Sequence, residues 1–381
     1  MFFAFVILVL LGVLGCVVFY LARRLWNGLV GVFPCLRFAV VMGIAVGLAV
    51  LSVLGFANAM LPLPDAVKHV LGALGAYAMG AFLYLLMFTV IADAVLLLLR
   101  LLRLPAAKRP RVRGAMAIAA VALTVVTVVG GAIHATQLTH VAYTVPIDSA
   151  MDVSDLNIVL VSDLHLGAVG SEARLEDTVD EINRRKPDIV CIAGDLFDTD
   201  YAAIRDPEAA SEMLRGIDAT YGVYLCFGNH DAGETAPQMR EFVRRSGITL
   251  LDDTYTVIDG RLVLAGRLDA SPIGGYGECE RAELSAVLNG ADPTLPVVVM
   301  DHNPAHFDTY PDEVDLVLSG HTHQGQIFPA NLVTGLLYTV DHGMYRREAG
   351  GPTLIVTSGA GTWGMPMRVG TDCEIVSIRL E

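Results

Sequence analysis

The 381-residue chain is 54% apolar with a mean hydropathy of +0.55, too oily for an ordinary soluble protein and indicative of membrane spans. Its formal charge of −14 is unevenly placed: residues 1–140 hold ten of the 26 basic and two of the 40 acidic residues, so 141–381 carry about −22. So acidic a segment lacks the electrostatic footprint of a nucleic-acid binder.

The composition shift predicts a transmembrane region over 1–140 and a globular domain over 141–381. Four hydrophobic spans, near 2–22, 38–61, 70–98 and 114–136, are each long enough to cross about 30 Å of hydrocarbon. The first has neither a basic n-region nor a small-residue cleavage site before its charges, which argues against a cleaved signal peptide. Arg23, Arg24 and Arg37 follow span one, and Arg100, Arg103, Lys108, Arg109, Arg111 and Arg113 follow span three. The link "LPLPDAVK" between spans two and three has one acid and one base. By the positive-inside rule both basic loops are cytoplasmic, which puts the N terminus and the C-terminal domain outside. Asp93 lies within span three, where a carboxylate is costly; Arg100 and the basic loop are its expected neighbours. His69, His134 and His140 sit at span ends and read as interfacial residues without ligand roles. Cys16, Cys35, Cys191, Cys226, Cys279 and Cys373 show no CxxC spacing, and Cys191 and Cys226 lie in apolar runs that suit buried, inert thiols.

From "AYTVPI" (142–147) onward, short β-branched runs recur at 157–162, 188–193, 222–227, 255–258, 262–266, 296–300, 314–319, 353–358 and 374–380. Helix-like stretches separate several of them, at 171–186, 207–216, 236–246 and 279–289. Continuous apolar strands alternating with helices predict a layered α/β domain with buried sheets.

Metal-binding side chains gather just after those strands. "VSDLHLG" supplies Asp163 and His165, "IAGDLFD" Asp195, "CFGNHD" Asn229 and His230, "VMDHNP" His302, and "SGHTH" His321 and His323. Loops beyond the carboxyl ends of strands converge on one crevice in open α/β sheets, so residues scattered in sequence can meet there. Imidazoles, carboxylates and one amide oxygen without thiolate suit Mn, Fe or Zn. Seven ligands drawn from these eight side chains exceed one tetrahedral zinc and fit two ions sharing a carboxylate, a pair able to hold a bridging hydroxide and clamp a phosphoryl group for in-line attack. Gly194, Gly228 and Gly320 precede ligands and are expected to permit sharp exits from the strands. Each fragment alone is weak, since an isolated HxH is more often surface than ligand. Five in fixed order, each behind an apolar strand, form a specific set.

In that order, D-x-H, GD, GNHD, H and GHxH resemble the calcineurin-like metallophosphoesterase superfamily. The likeness extends over about 145–381. "GHTHQGQIFP", "GMYR", "VTSGAGTWGMPMRVG" and "EIVSIRL" are similar to a branch with membrane-anchored phosphoesterase domains. The resemblance implies a four-layer α/β/β/α sandwich and a dinuclear site. It gives Asp163, His165 and His323 to the first ion, Asn229, His302 and His321 to the second, and Asp195 to both. His230 would face the phosphate and protonate or stabilise the leaving oxygen, with Asp231 orienting it; Asp198 would do likewise or cap a turn. Gln324 stands where the branch commonly has glycine. Gln326, Tyr345 and Arg368 match the branch, Arg368 as a candidate phosphate contact; His306 and His342 occupy no ligand position.

The expected activity is that of a membrane-anchored metal-dependent phosphohydrolase with two divalent ions, cleaving a phosphodiester or pyrophosphate bond of a lipid-linked or cell-envelope substrate. Two rivals use the same residues differently. A phosphomonoesterase or protein phosphatase would keep the site, and a membrane sensor or transport accessory would use the outer domain as a binding module.

Overall fold

A segment with hardly any polar side chains cannot show one wet and one buried face, and the first part of the chain forms long helices that are apolar on most of their surface. The computed structural model describes residues 2–58, 61–104, 110–147, 151–347 and 351–381. Helices α1 (Phe2–Leu29), α2 (Phe38–Phe56), α3 (Asp65–Leu101) and α4 (Pro110–His134) are each long and apolar enough to cross a membrane. They do not end where hydrophobicity ends. α1 continues past Ala22 through Arg23 and Arg24 to Leu29, because backbone hydrogen bonding outlasts the apolar run. α2 stops at Phe56, short of the expected 61, ahead of Pro62 and Pro64. Lys108 and Arg109 lie outside the described residues. Where α2 and α3 pack, Gly55 and Gly75 meet backbone to backbone, a contact that any side chain would block.

The chain divides into two compact units, Met1–Gly131 and Ala132–Glu381. The second starts before the expected residue 141 because its first strand, β1 (Leu138–Val145), already pairs in parallel with β12 (Cys373–Leu380).

This unit holds two six-stranded sheets. The first runs in the order β1, β12, β2 (Asn157–Val161), β3 (Ile189–Ala193), β4 (Val223–Cys226) and β5 (Thr249–Leu250). The second runs β10 (Gly343–Arg346), β11 (Thr353–Val356), β9 (Leu316–Ser319), β8 (Val297–Met300), β7 (Leu262–Gly266) and β6 (Thr254–Ile258). From β2 to β5, and from β11 to β7, neighbours are parallel.

Alternation along each strand builds the layers. Ile158 and Leu160 of β2 join Ile189, Leu264, Met300 and Leu318 between the two sheets. Val159 and Val161 turn the other way, onto Leu175 and Ile182 of α5 (Ser171–Arg184), Leu214 of α6 (Pro207–Arg215) and Phe242 of α7 (Ala236–Arg245). Across the second sheet, Val263, Val299 and Val317 pack on Val287 of α8 (Leu284–Val287), Phe307 and Tyr310. The result is an α/β/β/α sandwich. The expected helix over 279–289 shrinks to α8, because Ala282 N and Arg281 are drawn into bonds with Asp253 and Asp301. The sequence reading omits β5, β10 and α9 (Ala330–Leu337).

Candidate metal centre

The site lies where parallel strands of both sheets end. β2 leads into Asp163 and His165, β3 into Asp195, β4 into Asn229 and His230, β8 into His302, and β9 into His321 and His323. The first two loops brace each other: Asp163 N and His165 N donate to the carbonyls of Gly194 and Asp195, each at 3.0 Å. Asp163, His165, Asp195, His321 and His323 all have φ between 47° and 72°, the left-handed region that side chains normally avoid. Such outliers persist only where surrounding structure holds them, and they cluster at functional sites.

The three glycines expected to turn the chain act in two ways. Gly194 has φ +83°, as a sharp exit requires. Gly228 and Gly320 do not have positive φ; their need is room, since a Cβ at Gly228 would strike Asp195 and one at Gly320 would strike Ser162 and Asp163.

Ring nitrogens and carboxylate oxygens converge in three clusters among the described residues, each with its donor atoms within 4.8 Å of one another: Asp163, His165 and His323; Asp195, His302 and His321; and His165, Asp198 and His230. In the first, His323 Nε2 lies 3.2 Å from Asp163 Oδ1 and 3.1 Å from His165 Nε2. In the second, His302 Nε2 lies 3.1 Å from Asp195 Oδ2, and His321 Nδ1 lies 3.3 Å from His302 Nε2 and 2.8 Å from Asn229 Oδ1. Asp195 Oδ2 also lies 3.8 Å from His165 Nε2, so it faces both clusters. The His302 ring is oriented by Nδ1 donating to the Ala193 carbonyl at 2.8 Å, which turns the Nε2 lone pair inward. Paired imidazole nitrogens facing each other beside carboxylates form a poor hydrogen-bond network and a good cation cradle, so the donor set fits two divalent ions.

Electrostatics agree with that fit. Burial by itself would raise the Asp163 carboxyl, yet His323, His302 and His165 hold it well below the usual carboxylate range, and Asp195 is lowered by His302 and His165 against the same burial. Burial pushes the His321 and His323 imidazoles down to about 4, leaving both rings neutral and able to ligate at pH 7.

Several expected roles change. Asp231 does not touch the His230 ring: its carboxylate accepts from Phe197 N at 2.9 Å and Gly228 N at 2.8 Å, deep in the loop base. Burial and the Asp195 charge raise Asp231 to about 7. The His230 ring is oriented instead by Nδ1 donating to the Asp198 carbonyl, with Thr199 Oγ1 at 3.1 Å. The Asp198 carboxylate lies 3.5 Å from His165 Nδ1, a tie to a candidate ligand that the sequence does not announce. Arg368, expected as a candidate phosphate contact, is buried and donates to the carbonyls of His323, Ser358, Gly359 and Gly361, so its guanidinium clamps the loop. Gln326 pins the Trp363 segment through Trp363 N, Trp363 O and Met365 O. Gln324 has φ 51° and ψ 33°, a backbone that glycine adopts freely and a residue with a side chain adopts at a local cost. Tyr345 packs edge-on against Phe307, His342 pairs with Glu374 at 3.0 Å, and His306 is exposed.

Residues 156–325 match the family model described as calcineurin-like phosphoesterase. A zebrafish (Danio rerio) transmembrane protein with metallophosphoesterase domain is 30% identical over 340 residues, covering 84% of this chain and 76% of the relative. An uncharacterized metallophosphoesterase of Aquifex aeolicus is 30% identical, with 63% of this chain and 90% of that protein aligned. One of Helicobacter pylori is also 30% identical; the alignment takes in 59% of this chain and spans 60% of that relative's length. Fold, strand-end donor set and these relatives define one class. The chain belongs to the calcineurin-like metallophosphoesterases.

Proposed function

We propose that the chain is a membrane-anchored, dinuclear metal-dependent phosphohydrolase that cleaves a phosphodiester or pyrophosphate bond in a lipid-linked or cell-envelope substrate. The observation carrying this reading is the Asp195 carboxylate facing two histidine clusters, 3.1 Å from His302 and 3.8 Å from His165. In this reading Asp163, His165 and His323 hold one ion, Asn229, His302 and His321 hold the other, and Asp195 serves both. These residues would hold two divalent ions, Mn, Fe or Zn by donor chemistry, which when bound would supply Lewis-acid polarisation of a phosphoryl group and a nucleophile near neutral pH. His230 Nδ1 is committed to the Asp198 carbonyl, so its other nitrogen is the one left to protonate or hydrogen-bond the leaving oxygen. Asp231 holds the loop base by its bonds to Phe197 N and Gly228 N and acts on His230 only through that backbone.

The apolar rim supports an amphipathic substrate. Trp363 stands 6.0 Å from the His230 ring and Tyr338 6.2 Å from His321, centroid to centroid. Tyr338 caps α9, an uncharged helix without a buried residue, on which Leu336 is 87% and Leu337 74% exposed. Exposed apolar surface of that kind beside a polar site suits a ligand with an acyl or polyprenyl portion. The bias of basic residues to the loops after spans one and three supports an extracytoplasmic domain.

Purified full-length chain, loaded in turn with Mn, Fe or Zn, tests the activity on matched phosphodiesters, pyrophosphates and phosphomonoesters with and without lipid tails. Faster turnover of tailed diesters or pyrophosphates is expected; a preference for monoesters overturns the bond assignment, and no turnover with any metal overturns the enzyme. Cysteines introduced in 141–381 should react with impermeant reagent from outside intact cells, and labelling only after lysis would reverse the orientation.

A further inference from the structure

The carboxylate within the third apolar span is not paired as its sequence neighbours suggest. Asp93 of α3 binds Arg24 of α1, across the bundle, and accepts from Tyr20 Oη at 2.7 Å. Arg100 is not its partner. Arg24 and Asp93 form part of the wall of a partly open cavity of about 70 Å³ among α1, α3 and α4. Polar groups line it from three helices: Arg24 and Asn27 on α1, Asp93 and Arg100 on α3, and Arg113 on α4. Apolar residues close the rest, and α1 reaches α4 closely because a side chain at Gly28 would collide with Ala117 and the Arg113 carbonyl.

Charge counting gives the cavity a sign. Residues 1–131 contain two acids, Asp65 and Asp93. Asp93 is used by Arg24, and Asp65 lies at the opposite end of the 37-residue α3, about 40 Å away at ~1.5 Å per residue. Among the described residues, no carboxylate pairs with Arg100 or Arg113, and the Arg113 Nε is buried without a hydrogen-bond partner. Two guanidinium groups, Arg100 exposed and Arg113 half-buried, therefore line one inter-helix cavity without a carboxylate partner among the described residues, beside a third whose charge is balanced. An anion is the missing partner. Planar guanidinium forks match phosphate oxygens, and basic pockets between helices at the membrane boundary suit phospholipid headgroups. Arg100 is one residue from the end of α3, and Arg113 is in the first turn of α4, so both stand at helix ends, where charged residues flanking a span are expected to meet the membrane boundary.

We infer that this cavity is a second ligand site, separate from the strand-end clusters, which binds a phosphate-type anion through Arg100 and Arg113 while the Arg24–Asp93–Tyr20 network fixes its wall. The anion is a phospholipid headgroup or a free phosphate, and two arms separate the sources. In the first, full-length chain is reconstituted in nanodiscs of phosphatidylcholine with or without phosphatidylglycerol, and lipid retained after mild extraction is counted by native mass spectrometry. In the second, metal-stripped chain is titrated with inorganic phosphate and its melting temperature followed. Selective retention of phosphatidylglycerol assigns a headgroup site, and a phosphate-dependent rise in melting temperature without lipid retention assigns a free-anion site. In either case the R100Q/R113Q chain should bind about thirtyfold more weakly, and R100K/R113K should recover part of the loss if the variant's defect is lost charge. Equal retention or equal phosphate response in wild type and R100Q/R113Q overturns the inference, as does no binding in both arms.

Discussion

At the residue scale, five of the seven side chains assigned here to metal ligation sit on left-handed backbone, an arrangement that ordinary folding preferences do not produce. The same loops fix the His230 ring through a carbonyl, not through the neighbouring carboxylate. A change of His230 to alanine should therefore lower kcat by about 100- to 10 000-fold, the range for losing a positioned acid, while leaving thermal unfolding almost unmoved. Full activity in that variant would remove His230 from the mechanism. Gln324 gives a second test. Its φ of 51° suits glycine and strains a β-branched residue. Gln324→Val should lower stability by about 1–2 kcal/mol in chemical denaturation, whereas Gln324→Gly should be neutral or slightly stabilising. A stable valine variant would show that the loop relaxes freely.

At the scale of elements, most of the sandwich was legible. The apolar runs at 157–162, 188–193 and 262–266 lie within a residue of β2, β3 and β7, because a strand buried on both faces needs an unbroken apolar sequence. What was hidden has physical reasons. β5 is two residues long, and α9 is a short helix with neither polar face nor charge, so it offers no helical period to read. The side chains that gather at the strand ends were readable as candidate ligands, but which group orients His230 was not, because a backbone carbonyl has no letter in the sequence. If α9 receives the apolar part of the substrate, Leu336→Asp with Leu337→Asp should reduce kcat/KM about tenfold or more for a tailed phosphodiester and leave a soluble one unchanged; equal effects on both would make α9 merely structural. His342, just ahead of β10 in one sheet, pairs with Glu374 of β12 in the other. Against burial, which by itself would lower it, Glu374 raises the His342 pKa; against burial, which would raise it, His342 lowers that of Glu374. The raised histidine contributes stability fully below about pH 6.5, lost as pH rises through its folded value; the lowered carboxyl contributes above about pH 4.3, lost as pH falls through its own. The melting-temperature deficit of His342→Gln should be largest between those limits and shrink at pH 9. A deficit constant with pH would mean that the pair is not ionic.

At the scale of the whole molecule, the two units carry opposite charge, and the shift in composition signalled two parts, although the compact units meet at Gly131 and Ala132 and not at the expected 140 and 141. Composition did not reveal the partner of Asp93, since helix neighbours are not sequence neighbours. The central claim is that the second unit works with two ions sharing Asp195. It is tested most directly by stripping the full-length chain, adding back Mn, Fe or Zn, and measuring phosphodiester turnover against metal bound per chain. Turnover should climb until two ions are bound and then level off, with Asp195→Asn failing to reach that plateau. Full turnover with a single bound ion, or an Asp195→Asn chain that behaves as wild type, would contradict the account.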